Sequence, residues 1–93
     1  MRVREAIERD PSRNAIRRVS LFGSYAKETA RDESDVDLLI EFFPGSKMSF
    51  FTFFDIRENI ENHLQKKVDL LTPEALSKYF REDVLEKSEI VYG

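Results

Sequence analysis

Residues 23–40, GSYAKETARDESDVDLLI, decide the fold. Apolar Val19 and Leu21 lead into this stretch, which predicts a strand end, a Gly-Ser turn, a short helical or irregular crossover and a second strand. Side chains alternate along a strand, so Asp35 and Asp37 point to the same side, about 6.6 Å apart along the backbone. Two carboxylates therefore converge on one face of the second strand.

The paired carboxylates indicate a cation site. Like charges repel each other and are costly to desolvate unless cations accompany them. Hard oxygen ligands suit Mg²⁺, and a pair of such ions about 3.5–4 Å apart is the usual device for nucleotidyl displacement. The alternative is an acidic surface loop over residues 32–37. The apolar run Leu38–Ile40, which follows Asp37 without a break, favours the strand.

The Gly-Ser pair predicts a phosphate-binding turn. Gly23 allows a tight turn close to a ligand, and the hydroxyl of Ser24 can cap a helix and face an anion. Such a pair taken alone is more often a plain turn. Lys27 and Arg31 lie between the turn and the aspartates, where they either reach phosphate oxygens or are simply solvated.

The composition predicts one small domain over residues 1–93. The chain is 41% hydrophobic and 35% charged, with a net charge of −3, which excludes a large cationic surface for nucleic acid. The absence of cysteine and the single His63 leave oxygen as the ligand for any metal. No apolar run has signal-peptide or membrane-span length, so we expect a cytoplasmic protein without membrane contact.

Apolar periodicity and turn signals divide the chain into helices and strands. The pattern predicts a helix over about residues 2–10, strands Ile16–Phe22 and Asp35–Phe43, a helix Met48–Leu64, a strand from Lys66 that stops at Pro73, a helix from Thr72 through Phe80 that extends to Lys87, and an edge strand or loose tail at Ile90–Tyr92.

Two features of the later elements bear on function. Asp69 interrupts the apolar third strand, and beside the second strand it would complete a three-carboxylate cluster, as a metal ligand or as a base. The alternative is a plain aspartate at a strand edge. The helical stripe predicted to face the core includes Phe50, Phe53 and Phe54, but residues 50–54 contain four phenylalanines that cannot all face one stripe. An exposed Phe51 or Phe54 would mark a partner site.

Taken together, Gly23-Ser24, Asp35-Val36-Asp37 and the later Asp69 resemble the signature of the minimal nucleotidyltransferases of the DNA polymerase beta superfamily. The resemblance covers nearly the whole chain. It implies an α/β (α+β) nucleotidyltransferase fold, a small mixed β-sheet with helices packed on one side. It also implies that Gly23 and Ser24 hold the triphosphate of ATP, that Asp35 and Asp37 bind two Mg²⁺ ions, and that Asp69 serves the catalytic metal or the acceptor.

The family context implies a partner. Small stand-alone members are typically antitoxins paired with a HEPN-domain ribonuclease toxin, and competent ones transfer AMP to a tyrosine of that toxin. The short chain favours an acceptor brought by a partner, in a hetero-oligomer. One departure is Glu28, where members commonly have a glycine. It favours the alternative of a catalytically weak antitoxin that acts by binding alone. A further alternative is nucleotidyl transfer to a small molecule.

Overall fold

A computed structural model describes residues 2–23 and 35–93. In chain order, its elements are α1 (Val3–Glu8), a 3₁₀ turn (Arg13–Ala15), β1 (Ile16–Phe22), β2 (Val36–Phe42), α2 (Phe50–Leu64), β3 (Val68–Leu71), a second 3₁₀ turn (Pro73–Ala75), α3 (Arg81–Lys87) and β4 (Glu89–Tyr92).

The four strands form one mixed sheet in the order β3-β2-β1-β4. β1 is antiparallel to both β2 and β4, whereas β2 and β3 run parallel. A parallel pair requires a long crossover, and α2 provides it. The predicted mixed sheet is confirmed, and Glu89–Tyr92 is an edge strand rather than a loose tail.

The core lies between the sheet and the pair α1 and α2. Alternate residues of the strands meet the apolar stripes of both helices, and the largest fully buried members of this cluster are Ile7, Ile16, Leu38, Ile40, Ile56 and Ile60. Each side chain of this size contributes about 1.5–3 kcal/mol of transfer free energy when fully buried. The opposite face of the sheet is also covered at Ser20 and Leu39, which are both buried.

Defined caps fix both ends of α2. The Ser49 hydroxyl accepts a hydrogen bond from the Thr52 amide at 3.1 Å, which satisfies one of the free N–H groups of the first turn. At the other end, Gln65 takes a left-handed conformation with φ of 55°. The Glu61 carboxylate then accepts from the Val68 amide at 2.8 Å. The end of the crossover helix thereby sets the start of β3.

The predicted helix from Thr72 through Phe80 is wrong. The chain makes one 3₁₀ turn there, and the helix begins only at Arg81. The Arg81 guanidinium donates to the carbonyls of Pro73 at 2.8 Å and Leu76 at 3.1 Å. A side chain thus satisfies carbonyls that a continuous helix would have paired with backbone amides. Phe80, the last residue before α3, is 65% exposed.

Candidate active site

The parallel pairing of β2 and β3 brings two of the predicted carboxylates together. The Val36 amide donates to the Lys67 carbonyl at 2.9 Å, and in the resulting register Asp37 lies directly opposite Asp69. Asp35 precedes the strand by one residue, and its negative charge acts on Asp37. The sequence alone could not give this register, because α2 and its flanking loops separate the two strands.

Gly23 closes the same corner of the sheet. It follows β1, whose last residue Phe22 pairs with Asp37, and it has a φ of +73° that favours glycine. A Cβ atom at Gly23 would overlap Oδ2 of Asp37 and lie 3.1 Å from its Cγ. The missing side chain is therefore what leaves room for the Asp37 carboxylate.

The environment disfavours the negative charge of Asp37. Burial raises the pKa of its carboxyl above the ordinary value, and the negative charges of Asp69 and then Asp35 raise the pKa further. Asp37 is half-buried, whereas Asp35 and Asp69 are exposed. The corner thus concentrates negative charge around one partly desolvated carboxylate.

This donor set fits a divalent cation by its chemistry. Carboxylate oxygens are the hard ligands that Mg²⁺ prefers, and a cation would relieve the repulsion that acts on Asp37. Across residues 2–23 and 35–93, however, no three Asp, Glu or His side chains converge into a ready-made metal cage. The strands hold Asp37 and Asp69 as neighbours, and any ion would have to draw the carboxylates closer together.

Four residues of the predicted site region lie outside the described residues. These are Ser24, Lys27 and Arg31, predicted to bind the triphosphate, and Glu28, where the family resemblance leads us to expect a glycine. Their assignments remain predictions from the sequence. Gly23, which directly precedes them, lies beside Asp37.

His63 lies on the last turn of α2 and takes part in a structural contact. Its Nε2 lies 3.3 Å from Oε2 of Glu5 on α1. Hydrogen bonds from Arg2 and then from His63 lower the pKa of Glu5. The pair joins the two core helices.

The comparison with known proteins yields one family and clear relatives. The family model "Polymerase beta, Nucleotidyltransferase" matches residues 5–93. A protein adenylyltransferase of Thermococcus cleftensis, MntA, is 34% identical over 80 residues, which cover 86% of this chain and 77% of that protein.

Solved structures share the fold. One of a protein provisionally assigned as a minimal nucleotidyltransferase is 33% identical, with a TM-score of 0.74, and the match covers 95% of this chain and 86% of that chain. The tri-AMPylated Shewanella oneidensis HEPN toxin in complex with an MNT antitoxin gives a match at 17% identity with a TM-score of 0.65, covering 98% and 70% of the two chains. At that identity the likeness shows the fold alone.

Proposed function

The chain belongs to the polymerase beta nucleotidyltransferase family, and we propose that it is an antitoxin that transfers AMP from ATP to a hydroxyl of a HEPN-domain toxin. The observation that carries the proposal is the corner where Gly23 leaves room for Asp37 opposite Asp69. The adenylyltransferase relative and the AMPylated toxin in complex with an MNT antitoxin support the reaction and the partner. The proposed acceptor is a tyrosine.

The three carboxylates of the corner are the proposed magnesium ligands. Asp35, Asp37 and Asp69 supply hard oxygen donors, and the repulsion that raises the pKa of Asp37 is the kind that a bound cation relieves. When bound, two Mg²⁺ ions would neutralise the triphosphate and activate the attacking oxygen.

The chain's own groups divide the remaining work. The turn at Gly23 lets the backbone approach the triphosphate without displacing Asp37. Ser24, Lys27 and Arg31 are proposed to bind the phosphate oxygens, through a hydroxyl and two cationic side chains. Asp37 and Asp69 lie on the paired strands β2 and β3, so the backbone already fixes the positions of both residues. Little further ordering of their carboxylates is needed before reaction.

The proposed transfer balances as a single displacement. The hydroxyl oxygen of the acceptor bonds to the α-phosphorus of ATP, the bond from that phosphorus to the bridging oxygen breaks, and pyrophosphate leaves. The hydroxyl proton must go to a base. Asp69 is exposed at the sheet corner and so is accessible to an incoming hydroxyl, which makes it the candidate to accept the proton if it does not bind the metal.

Label transfer in a purified system tests the proposal. The chain is incubated with α-labelled ATP, Mg²⁺ and the protein encoded beside its gene, in parallel with the double variant Asp35→Ala/Asp37→Ala. We expect label on the neighbouring protein with the wild type and none with the double variant. Labelling that survives in the double variant would overturn the assignment of the carboxylates.

A second candidate is an antitoxin that neutralises its toxin by contact alone. Glu28 favours it, because an acidic side chain close to the triphosphate would weaken nucleotide binding. Growth rescue separates the two functions. If the double variant protects cells from the toxin as well as the wild type does, contact is sufficient. If protection is lost while the variant still binds the toxin, transfer is required.

A further inference from the structure

Three phenylalanines at the start of α2 face solvent. Phe50, Phe51 and Phe54 are 74%, 81% and 41% exposed, and we call them the aromatic surface. Soluble monomers rarely present several large apolar side chains together unless the patch binds something. Phe51 and Phe54 were predicted as candidate surface residues, whereas Phe50 was predicted to face the core.

Two of the three rings of the aromatic surface, those of Phe50 and Phe54, make contacts at the surface. The rings of Phe50 and Phe54 meet edge to face, with centroids 5.1 Å apart and an interplanar angle of 65°. The Arg57 guanidinium carbon lies 4.9 Å from the centroid of the Phe54 ring. Because these contacts already restrict the rings of Phe50 and Phe54, ordering those two side chains on binding would cost little additional entropy.

Acidic residues flank this surface. Asp55 follows Phe51 and Glu58 follows Phe54 by four positions, so each carboxylate lies next to a ring on the helix surface. Both side chains are exposed, and no ion pair joins either of them to another described residue. A complementary partner would therefore present an apolar groove with lysine or arginine opposite these two carboxylates, beside the Arg57 guanidinium that lies over the Phe54 ring.

The aromatic surface lies at the end of the sheet away from the carboxylates. Phe53, in the same helical turns, packs on Phe42 with ring centroids 6.5 Å apart. Phe42 ends the seven-residue strand β2, and Asp37 is near its start. The two positions are about 17 Å apart along the strand. A protein bound at the aromatic surface would leave the carboxylate corner open.

We propose that the aromatic surface docks the same protein partner that receives AMP, through an apolar groove with a basic rim on that partner. The inference rests on the proposed function for the identity of the partner. Docking there would hold the acceptor protein at a second point, so losing the contact would weaken binding and raise KM without changing the chemical step.

The test compares two aromatic residues of equal exposure. Phe51→Ser removes an 81% exposed ring from the aromatic surface, and Tyr79→Ser removes an 82% exposed ring from the segment before α3. Calorimetric titration with the neighbouring protein, without ATP, should give a Kd weaker by about tenfold or more for Phe51→Ser, the loss expected of a central interface aromatic. Tyr79→Ser should bind within about twofold of the wild type.

Turnover and self-association complete the design. With saturating partner, Phe51→Ser should transfer AMP at the wild-type rate. Unchanged partner affinity in Phe51→Ser would overturn the docking site and leave the proposed transfer intact. Loss of partner affinity in a system that never transfers AMP would support the docking site and overturn the transfer. A change in self-association by light scattering, with partner affinity unaltered, would identify a second copy as the occupant and overturn the proposal.

Discussion

The two ends of the sheet differ in what they place in contact with solvent. One end places Asp37 beside Gly23 and opposite Asp69, half-buried under the negative charges of Asp69 and Asp35. The other end places the rings of Phe50, Phe51 and Phe54 in solvent. Neither arrangement stabilises an isolated domain, because one leaves charge repulsion unrelieved and the other leaves apolar surface exposed.

The two ends would be stabilised by different ligands. Unrelieved negative charge is stabilised by cations, and exposed rings are stabilised by an apolar protein surface. The buried core between the ends depends on neither. Substitutions at the carboxylate end should therefore alter reaction and metal response, and substitutions at the aromatic end should alter association.

The largest effect is expected for Asp37→Ala on AMP transfer. Losing a ligand that both proposed metals depend on should lower kcat/KM on the order of a thousandfold, while affinity for the partner stays unchanged. The matched control is Asp83→Ala on α3, which removes a carboxylate paired with Lys87 at 3.1 Å and should keep full activity. Steady-state label transfer measures both. Equal activity in the two variants would show that the Asp37 carboxylate has no role in transfer.

Gly23→Ala should destabilise the carboxylate end through a specific overlap. The new Cβ would collide with Asp37 in addition to the strain of a positive φ, and we expect a loss of about 1–3 kcal/mol of unfolding free energy. Gly45→Ala is the control, because its φ of +85° carries the same strain with no atom within 4 Å. Urea unfolding of both variants isolates the overlap. Equal losses would show that Asp37 does not occupy that space.

A smaller effect of opposite sign is expected for Asp37→Asn on stability without Mg²⁺. Removing one of the facing like charges should raise the unfolding free energy by a few tenths to about 1 kcal/mol. Because the pKa of Asp37 is raised in the folded state, ionised Asp37 destabilises the fold at pH values above that pKa. This destabilisation fades as the pH falls through the raised pKa. The gain should therefore be present at neutral pH and vanish in acid. Thermal melts across pH measure it, and no gain at neutral pH would contradict the repulsion.

The smallest effect is expected for Glu5→Gln, which belongs to neither end. Hydrogen bonds from Arg2 and His63 lower the pKa of Glu5. These hydrogen bonds to ionised Glu5 stabilise the fold at pH values above the unfolded-state pKa of Glu5. The stabilisation is lost as the pH falls through the folded-state pKa of Glu5. The variant should melt slightly lower than the wild type at neutral pH and equally in acid. AMP transfer should be unaffected, and a large loss of transfer would reveal coupling between α1 and the carboxylate corner.

The sequence predicted the parts of the fold whose signal is local. Apolar alternation located β1 and β2, and helical spacing located α2 between Ser49 and Gln65. The prediction of a helix after β3 failed, because the carbonyls of Pro73 and Leu76 accept from the Arg81 guanidinium, eight and five residues further along the chain. Apolar spacing does not report such a contact between a side chain and the backbone.

The candidate site was predictable in composition but not in geometry. The carboxylates at Asp35, Asp37 and Asp69 stand out because charge interrupts apolar strands. Their pairing depends on β2–β3 register, and the contact of Gly23 with Asp37 depends on β1–β2 register. The prediction that Phe50 faces the core is wrong, because helical spacing alone does not show that its ring packs on Phe54 on the solvent side of α2.

The most direct test of the proposed transfer is the intact mass of the proposed HEPN-domain partner after incubation with ATP, Mg²⁺ and the chain. Asp37→Asn is the decisive comparison, because it should remain folded and lack only a carboxylate charge. With the wild-type chain, the partner should gain the mass of one or more AMP groups. With Asp37→Asn it should gain none. AMP addition by Asp37→Asn at the wild-type rate, or a wild type that binds the protein without modifying it, would contradict the account.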